Sequence, residues 1–292
     1  MKILVTGANG QLAWELSQIY NKEKKFEFKF YTREDWDICN FELSTSILNQ
    51  EKADYLINAA AYTFVDRAES ERDLCFQINC HAPISLANIC KRNQTKFIFL
   101  STDYVFNNSG NIPILEQQSK NPKGVYANSK SIAEDEILKI NPDAIIIRTS
   151  WLYSSHGQNF VKSMLRLSET TSSLRIVNDQ IGSPTYARDL AITILKMIHF
   201  EGEHPTNKLA GFYHYSNAGQ CSWFEFATEI FSYLNIKIAL HKITTSEFNA
   251  IAHRPPFSTL DCTKIKELLR LHIPPWKLSL HNCLDLLTKN NT

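Results

Sequence analysis

A chain of 292 residues, 43% hydrophobic and 21% charged, can bury a sizeable core as one large domain or two intimate ones. Its 31 basic and 30 acidic residues are interspersed and leave a net charge of +1, so no nucleic-acid partner is expected, and the short Lys-rich run at 21–25 reads as a solvated loop. There is no stretch of roughly 18 apolar residues, no basic-then-apolar leader and no zinc-finger spacing among the seven scattered cysteines, so the expectation is no membrane partner and a cytoplasmic location.

Lys2-Ile-Leu-Val-Thr6 reads as a buried strand running into Gly7-Ala-Asn-Gly10-Gln-Leu-Ala13 and a helix-like segment to residue 20. Strand, glycine turn and helix form a dinucleotide-binding arrangement. Gly7 and Gly10 let the backbone approach a pyrophosphate, and the helix N-terminus offers free N–H groups and a positive dipole end. Asn9, Gln11 and Leu12 share this turn and join the candidate cofactor residues. Ala13 stands where the motif has its third glycine, a change of one methyl group at a packing position.

The second strand, 26–31, is followed by Thr32 and Arg33 before the acids Glu34 and Asp35. An acid at this strand end would bind the ribose of NAD, whereas Arg33 can pair with a 2′-phosphate, so NADPH is the expected cofactor. The third strand, 55–59, leaves through Asn58-Ala-Ala-Ala-Tyr62, whose small side chains let a flat cofactor lie close; Ala60, Ala61 and Tyr62 are assigned to it. A helix is expected over 73–92. The fourth strand, 96–101, ends in Leu100-Ser-Thr-Asp-Tyr-Val-Phe106, which puts Ser101, Thr102 and Asp103 in the crevice beyond the strand ends where open α/β sheets bind ligands.

Tyr126 and Lys130 follow, on a helix expected over 126–139. The Tyr-x-x-x-Lys spacing stacks a phenol and an ammonium one helical turn apart. A phenol with a pKa near 10 is a poor acid or base at neutral pH, and a nearby cation brings it toward useful values. With a fifth strand at 144–148, residues 1–150 read as a doubly wound, parallel, Rossmann-like α/β domain. Beyond 150 the pattern loosens, with prolines at 184, 205, 255, 256, 274 and 275 and helices expected at 158–168, 187–200, 222–234 and 264–269. Residues 151–292 therefore read as mainly a smaller substrate-binding lobe, with some segments returning to the Rossmann domain and a frayed tail at 290–292.

These segments resemble the extended short-chain dehydrogenases/reductases, and within them the dTDP-4-dehydrorhamnose reductase family. The resemblance is carried by Gly7-Ala-Asn-Gly-Gln-Leu-Ala-Trp-Glu-Leu16, Asn58 through Ser70, Ser101-Thr-Asp-Tyr-Val-Phe106, Tyr126-Ala-Asn-Ser-Lys130, Arg148-Thr-Ser-Trp-Leu-Tyr153 and Asn178-Asp-Gln-Ile-Gly-Ser-Pro-Thr185, with further matches around Gly211, Ser222 and Arg254. It implies that Tyr126 is the proton donor, Lys130 its electrostatic partner and a ribose ligand, and Thr102 a hydroxyl in reach of the sugar. Asp103, Trp151 and Arg254 would touch the substrate, and Asp37 and Ile38 would lie near the adenine. The implied reaction is reduction of the C4 ketone of dTDP-4-dehydro-6-deoxy-L-mannose to dTDP-L-rhamnose; members of the family accept NADH as well as NADPH.

The resemblance leaves a homodimer open. Some members use a divalent cation at a dimer contact and Glu15 lies in a matching segment, but no local cluster of ligands accompanies it, so no metal is assigned. Two alternatives remain at this stage. One is an NADP-binding regulatory subunit resembling the beta subunit of methionine adenosyltransferase. The other is a reductase or epimerase acting on another nucleotide-linked deoxy sugar.

Overall fold

The computed structural model describes residues 1–19, 25–204, 206 and 209–289; most of the Lys-rich run, Pro205 and the tail at 290–292 lie outside the described residues. Five strands read from the sequence form within a residue or so of their expected bounds: β1 (Lys2–Thr6), β2 (Glu27–Tyr31), β3 (Tyr55–Asn58), β4 (Lys96–Thr102) and β5 (Ile145–Thr149). A sixth, Gly211–His214, was not anticipated and adds in parallel to β5. Among the described residues the sheet is six-stranded and parallel throughout, in the order Gly211–His214, β5, β4, β3, β1, β2. The chain thus reverses its direction of travel across the sheet between β1 and β3, and that is where a doubly wound sheet opens a crevice.

Strand side chains alternate between faces, and each face carries its own core. Ile3, Val5, Ile57, Ile98, Ile145 and Ile147 pack toward the helices Gln11–Ile19 and Ala187–Glu203. Leu4, Leu56, Phe97, Phe99 and Ile146 pack toward Phe41–Glu51, Ala82–Arg92 and Val125–Ile140. A third core, built on Tyr153, Val161, Phe226, Ile230, Trp276 and Leu280, holds together the helices Phe160–Ser168, Trp223–Tyr233 and Trp276–Lys289. A parallel strand pair, Ser173–Val177 with Ala239–Ile243, accompanies that core.

The single helix expected over 73–92 is broken into Arg72–Phe76, a π-turn at Gln77–His81 and Ala82–Arg92. Pro83 has no N–H to give the carbonyl four residues earlier, at Asn79, so the turn widens there. The Asn79 side chain then clamps the strand-end backbone of Tyr62, accepting from its N–H and donating to its carbonyl, both at 2.9 Å. Helix Phe41–Glu51 escaped the sequence reading because its apolar stripe is weak, with only Ser44 and Leu48 buried; the Asn40 side chain caps it through the Leu43 N–H at 3.0 Å.

Candidate active site

At the crevice between β1 and β3, Gly7 has φ +72°, and a Cβ built on it would stand 2.8 Å from the Ala60 nitrogen. Gly10 donates back to the Gly7 carbonyl at 2.8 Å, closing the turn that opens helix Gln11–Ile19. A cavity of 240 Å³ sits over this turn. Gly7, Asn9, Gly10, Arg33, Asp37, Ile38, Ala60 and Ala61, all anticipated as cofactor residues, line it; Trp36, Ala59 and Ile78 line it as well and had no motif to mark them. A backbone cradle without a Cβ, facing a wall of alanines, is the form a dinucleotide requires. Three anticipated residues turn elsewhere. Leu12 is buried in the core, Gln11 accepts from Asn159 at 2.9 Å, and the Tyr62 hydroxyl donates to Glu71 at 2.7 Å.

After the second strand the Asp35 carboxylate is occupied by Thr32, accepting from its hydroxyl at 2.7 Å and its N–H at 3.1 Å, and these bonds hold its pKa below the usual value. The exposed Arg33 lines the cavity at this strand end, with Asp37 four residues further along. The local chemistry suits a 2′-phosphate better than a ribose diol.

The second part of the site lies at the end of β4. Thr102 extends the strand and caps the short turn Asp103–Val105, accepting from the Tyr104 N–H at 3.2 Å and donating to Asp103 Oδ1 at 3.0 Å. Asp103 is 2% exposed, and burial pushes its pKa up to about 6 against the pull of the Ser258 and Thr102 hydroxyls. Tyr126 and Lys130 lie in the first turns of helix Val125–Ile140, whose entry is fixed by Gly124 at φ +82° and by the Val125 N–H donating to Glu69 at 2.8 Å. Tyr126 is half-buried and stacks edge-to-face on Tyr104 with ring centroids 5.7 Å apart.

The expected effect of lysine on tyrosine is not the one found. Burial pushes the Tyr126 phenol up, and the Thr102 hydroxyl opposes it. Lys130 Nζ turns down to the Leu100 carbonyl at 3.1 Å, over the Phe99 ring at 4.6 Å, and burial lowers its own pKa to about 8. Ser101, expected beside Thr102 and Asp103, also departs: strand alternation sends its hydroxyl to Glu134 at 2.6 Å, beneath the site.

The opposite wall comes from the C-terminal half. Trp151, with φ +46°, lies flat on Trp223 with centroids 3.5 Å apart and 9° between planes. It has room because residue 182 is glycine: a Cβ there would meet the indole at 2.7 Å and Ser258 Oγ at 2.8 Å. Arg254 reaches across to the segment after β3 and grips Asp66 with both ends of its guanidinium, at 3.1 and 2.7 Å. Asp66 also accepts from the Ala252 N–H at 2.9 Å, so this pair joins the two halves at the cleft. Glu15 is wholly buried and accepts from Ser154 at 2.6 Å; among the described residues no group of three or more metal-ligating side chains is assembled. No helix among the described residues is long and apolar enough to cross a membrane.

The family described as RmlD substrate binding domain matches residues 1–289. The chain is 39% identical to the spore coat polysaccharide biosynthesis protein SpsK of Bacillus subtilis, over 91% of each chain. It is 35% identical to the dTDP-4-dehydrorhamnose reductase of Sinorhizobium fredii, over 96% of this chain and 95% of that one. The crystal structure of the Bacillus anthracis dTDP-4-dehydrorhamnose reductase in complex with NADP superposes with a TM-score of 0.92 at 36% identity, over 98% of this chain and 99% of that one.

Proposed function

Because the chain belongs to the RmlD substrate binding domain family, we infer that it is a dTDP-4-dehydrorhamnose reductase, which reduces the C4 ketone of dTDP-4-dehydro-6-deoxy-L-mannose to dTDP-L-rhamnose with NADPH. What supports this reading is a glycine cradle with the shape of a dinucleotide site, together with Tyr126 against Thr102 at the end of β4 and Lys130 one helical turn further along.

NADPH, when bound, supplies a hydride to the carbonyl carbon. The residues of the chain do the rest. Tyr126 gives its phenolic proton to the carbonyl oxygen as charge develops there, and its upward-shifted pKa keeps it protonated and ready to donate throughout the neutral range. Thr102 stands beside that phenol and bonds the oxygen when its hydroxyl proton turns from Asp103 to the substrate. Lys130, still largely an ammonium at neutral pH, neutralises the phenolate left behind and holds the cofactor ribose. Gly7, Asn9, Gly10, Arg33, Asp37, Ile38, Ala60 and Ala61 bind the rest of the cofactor, with Gln11, Leu12 and Tyr62 shaping the turn and wall behind it.

Asp103 and Trp151 meet the sugar, and Arg254 meets the substrate diphosphate at the edge not gripped by Asp66. In this reading residues 1–150 supply mainly the cofactor site and residues 151–292 mainly the substrate wall. The partner is the nucleotide sugar, the location is the cytoplasm, and a homodimer is compatible with the arrangement. The test is a coupled assay in which the keto sugar is generated enzymatically, loss of reduced-nicotinamide absorbance is followed and the sugar product is identified. Turnover to dTDP-L-rhamnose supports the reading; NADPH binding without turnover moves the assignment to another keto sugar or a regulatory role.

A further inference from the structure

We propose that Glu134 is a positioning residue for the reduction, the third of three attachments, spaced one helical turn apart, that hold the helix Val125–Ile140 against the last three residues of β4. The inference rests on the function proposed above. Tyr126 stands against the Thr102 hydroxyl. Lys130 Nζ donates to the Leu100 carbonyl at 3.1 Å. The Ser101 hydroxyl donates to Glu134 Oε1 at 2.6 Å. Side chains four apart share one face of a helix, so a shift at any of these contacts is felt at the other two.

Glu134 is also the anchor to the neighbouring strand. Arg148 of β5 binds it with both arms, Nε to Oε1 at 2.9 Å and Nη2 to Oε2 at 2.8 Å, and the two side chains are 1% and 0% exposed. Arg148 is fixed in turn by the Glu116 carbonyl at 3.0 Å and by the Phe212 and Phe106 rings at 4.1 and 4.9 Å. Lys120 adds a second cation 3.3 Å from Glu134 Oε2. A forked guanidinium–carboxylate pair is directional in a way apolar packing is not, so one buried carboxylate registers the helix to β4 and β5 together.

The arrangement has an electrostatic signature. The groups acting on the Lys130 ammonium are Glu134 from its own helix and Cys75 from the helix Arg72–Phe76, with the Leu100 carbonyl and Phe99 ring from β4 beneath it. Burial lowers the pKa of Lys130, and Glu134 and Cys75 oppose that. Removing the Glu134 charge therefore lowers it further, and the basic limb of activity moves to lower pH.

The experiment uses the full chain and three variants: Ser101→Ala, Glu134→Gln and the charge-neutral double variant Glu134→Gln/Arg148→Met. Ser101→Ala is expected to lose roughly tenfold in kcat through misplacement, with KM for the sugar and NADPH affinity near wild type and the basic limb unmoved. Glu134→Gln is expected to lose kcat and to shift the basic limb down by about half a pH unit or more. If the single variant does not fold, the double variant is expected to show the same loss in kcat with a smaller shift of the limb, because losing the Arg148 cation offsets part of losing the Glu134 charge. The same shift is read in the pH dependence of NADPH binding, which needs no turnover, so a failed reduction and a failed positioning role are told apart. Wild-type kcat in Ser101→Ala, an unmoved limb in a folded Glu134→Gln, or wild-type kcat in the double variant overturns the proposal.

Discussion

Gly7 and Ala60 touch backbone to backbone: a single methyl group on Gly7 would stand 2.8 Å from the Ala60 nitrogen and 2.9 Å from its Cα. This contact closes the crevice between β1 and β3 and brings the alanine wall to within reach of the glycine turn. Gly7→Ala meets both that contact and a left-handed backbone, which costs an L residue about 1–2 kcal/mol by itself. NADPH affinity is expected to fall by roughly tenfold or more. Fluorescence titration with NADPH measures it, alongside a melting curve to separate lost binding from lost fold; unchanged affinity in a folded variant would show that the close approach is not needed.

Tyr126→Phe removes the proton while keeping the ring that packs on Tyr104. The expected loss in kcat is about 10²–10⁴-fold, with NADPH binding close to wild type. The pH profile carries a second sign. Lys130 titrates at about 8, so its ammonium is present below that value and lost as pH rises through it; kcat/KM should fall along that limb. A profile flat to pH 10 would contradict the role given to the lysine.

Asp103 is raised to about 6 from 3.8 by burial, so the folded protein binds a proton more tightly than the unfolded chain does. Folding is therefore favoured by protonation, and this carboxyl destabilises the fold as pH rises from 3.8 to 6, by roughly 3 kcal/mol in all. Asp103→Asn, which keeps an oxygen for Thr102, should gain stability over wild type across that window and hold the gain above it, while losing activity. Melting temperatures at pH 4 and pH 8 measure this; an equal difference at both would remove the carboxylate from the account.

Arg33 faces the cofactor cavity while the nearby Asp35 is tied to Thr32. Arg33→Ala should lower kcat/KM for NADPH by about 10–100-fold, the range for losing a charge-assisted hydrogen bond, and leave that for NADH nearly unchanged. Steady-state kinetics with both cofactors decides it. Parallel losses for the two would show that Arg33 does not read the 2′-phosphate.

What the sequence determined by itself was whatever depends on neighbours along the chain. Gly7 and Gly10 announce a turn because backbone conformation is local, Tyr126 and Lys130 share a face because a helix repeats every 3.6 residues, and β1 to β5 are visible as short apolar runs. Tertiary structure decided whatever depends on pairing across the sheet and cleft. The strand Gly211–His214 is defined by its partner β5, not by its own composition. Ser101 left the crevice for Glu134 because alternation, not proximity in sequence, sets the face on which a side chain emerges. The direction of Lys130, the seat that Gly182 leaves for Trp151 and the grip of Arg254 on Asp66 all join residues tens to hundreds of positions apart or turn on burial. Those contacts arise when the sheet and the C-terminal half come together, since desolvation and close packing have no counterpart in an extended chain.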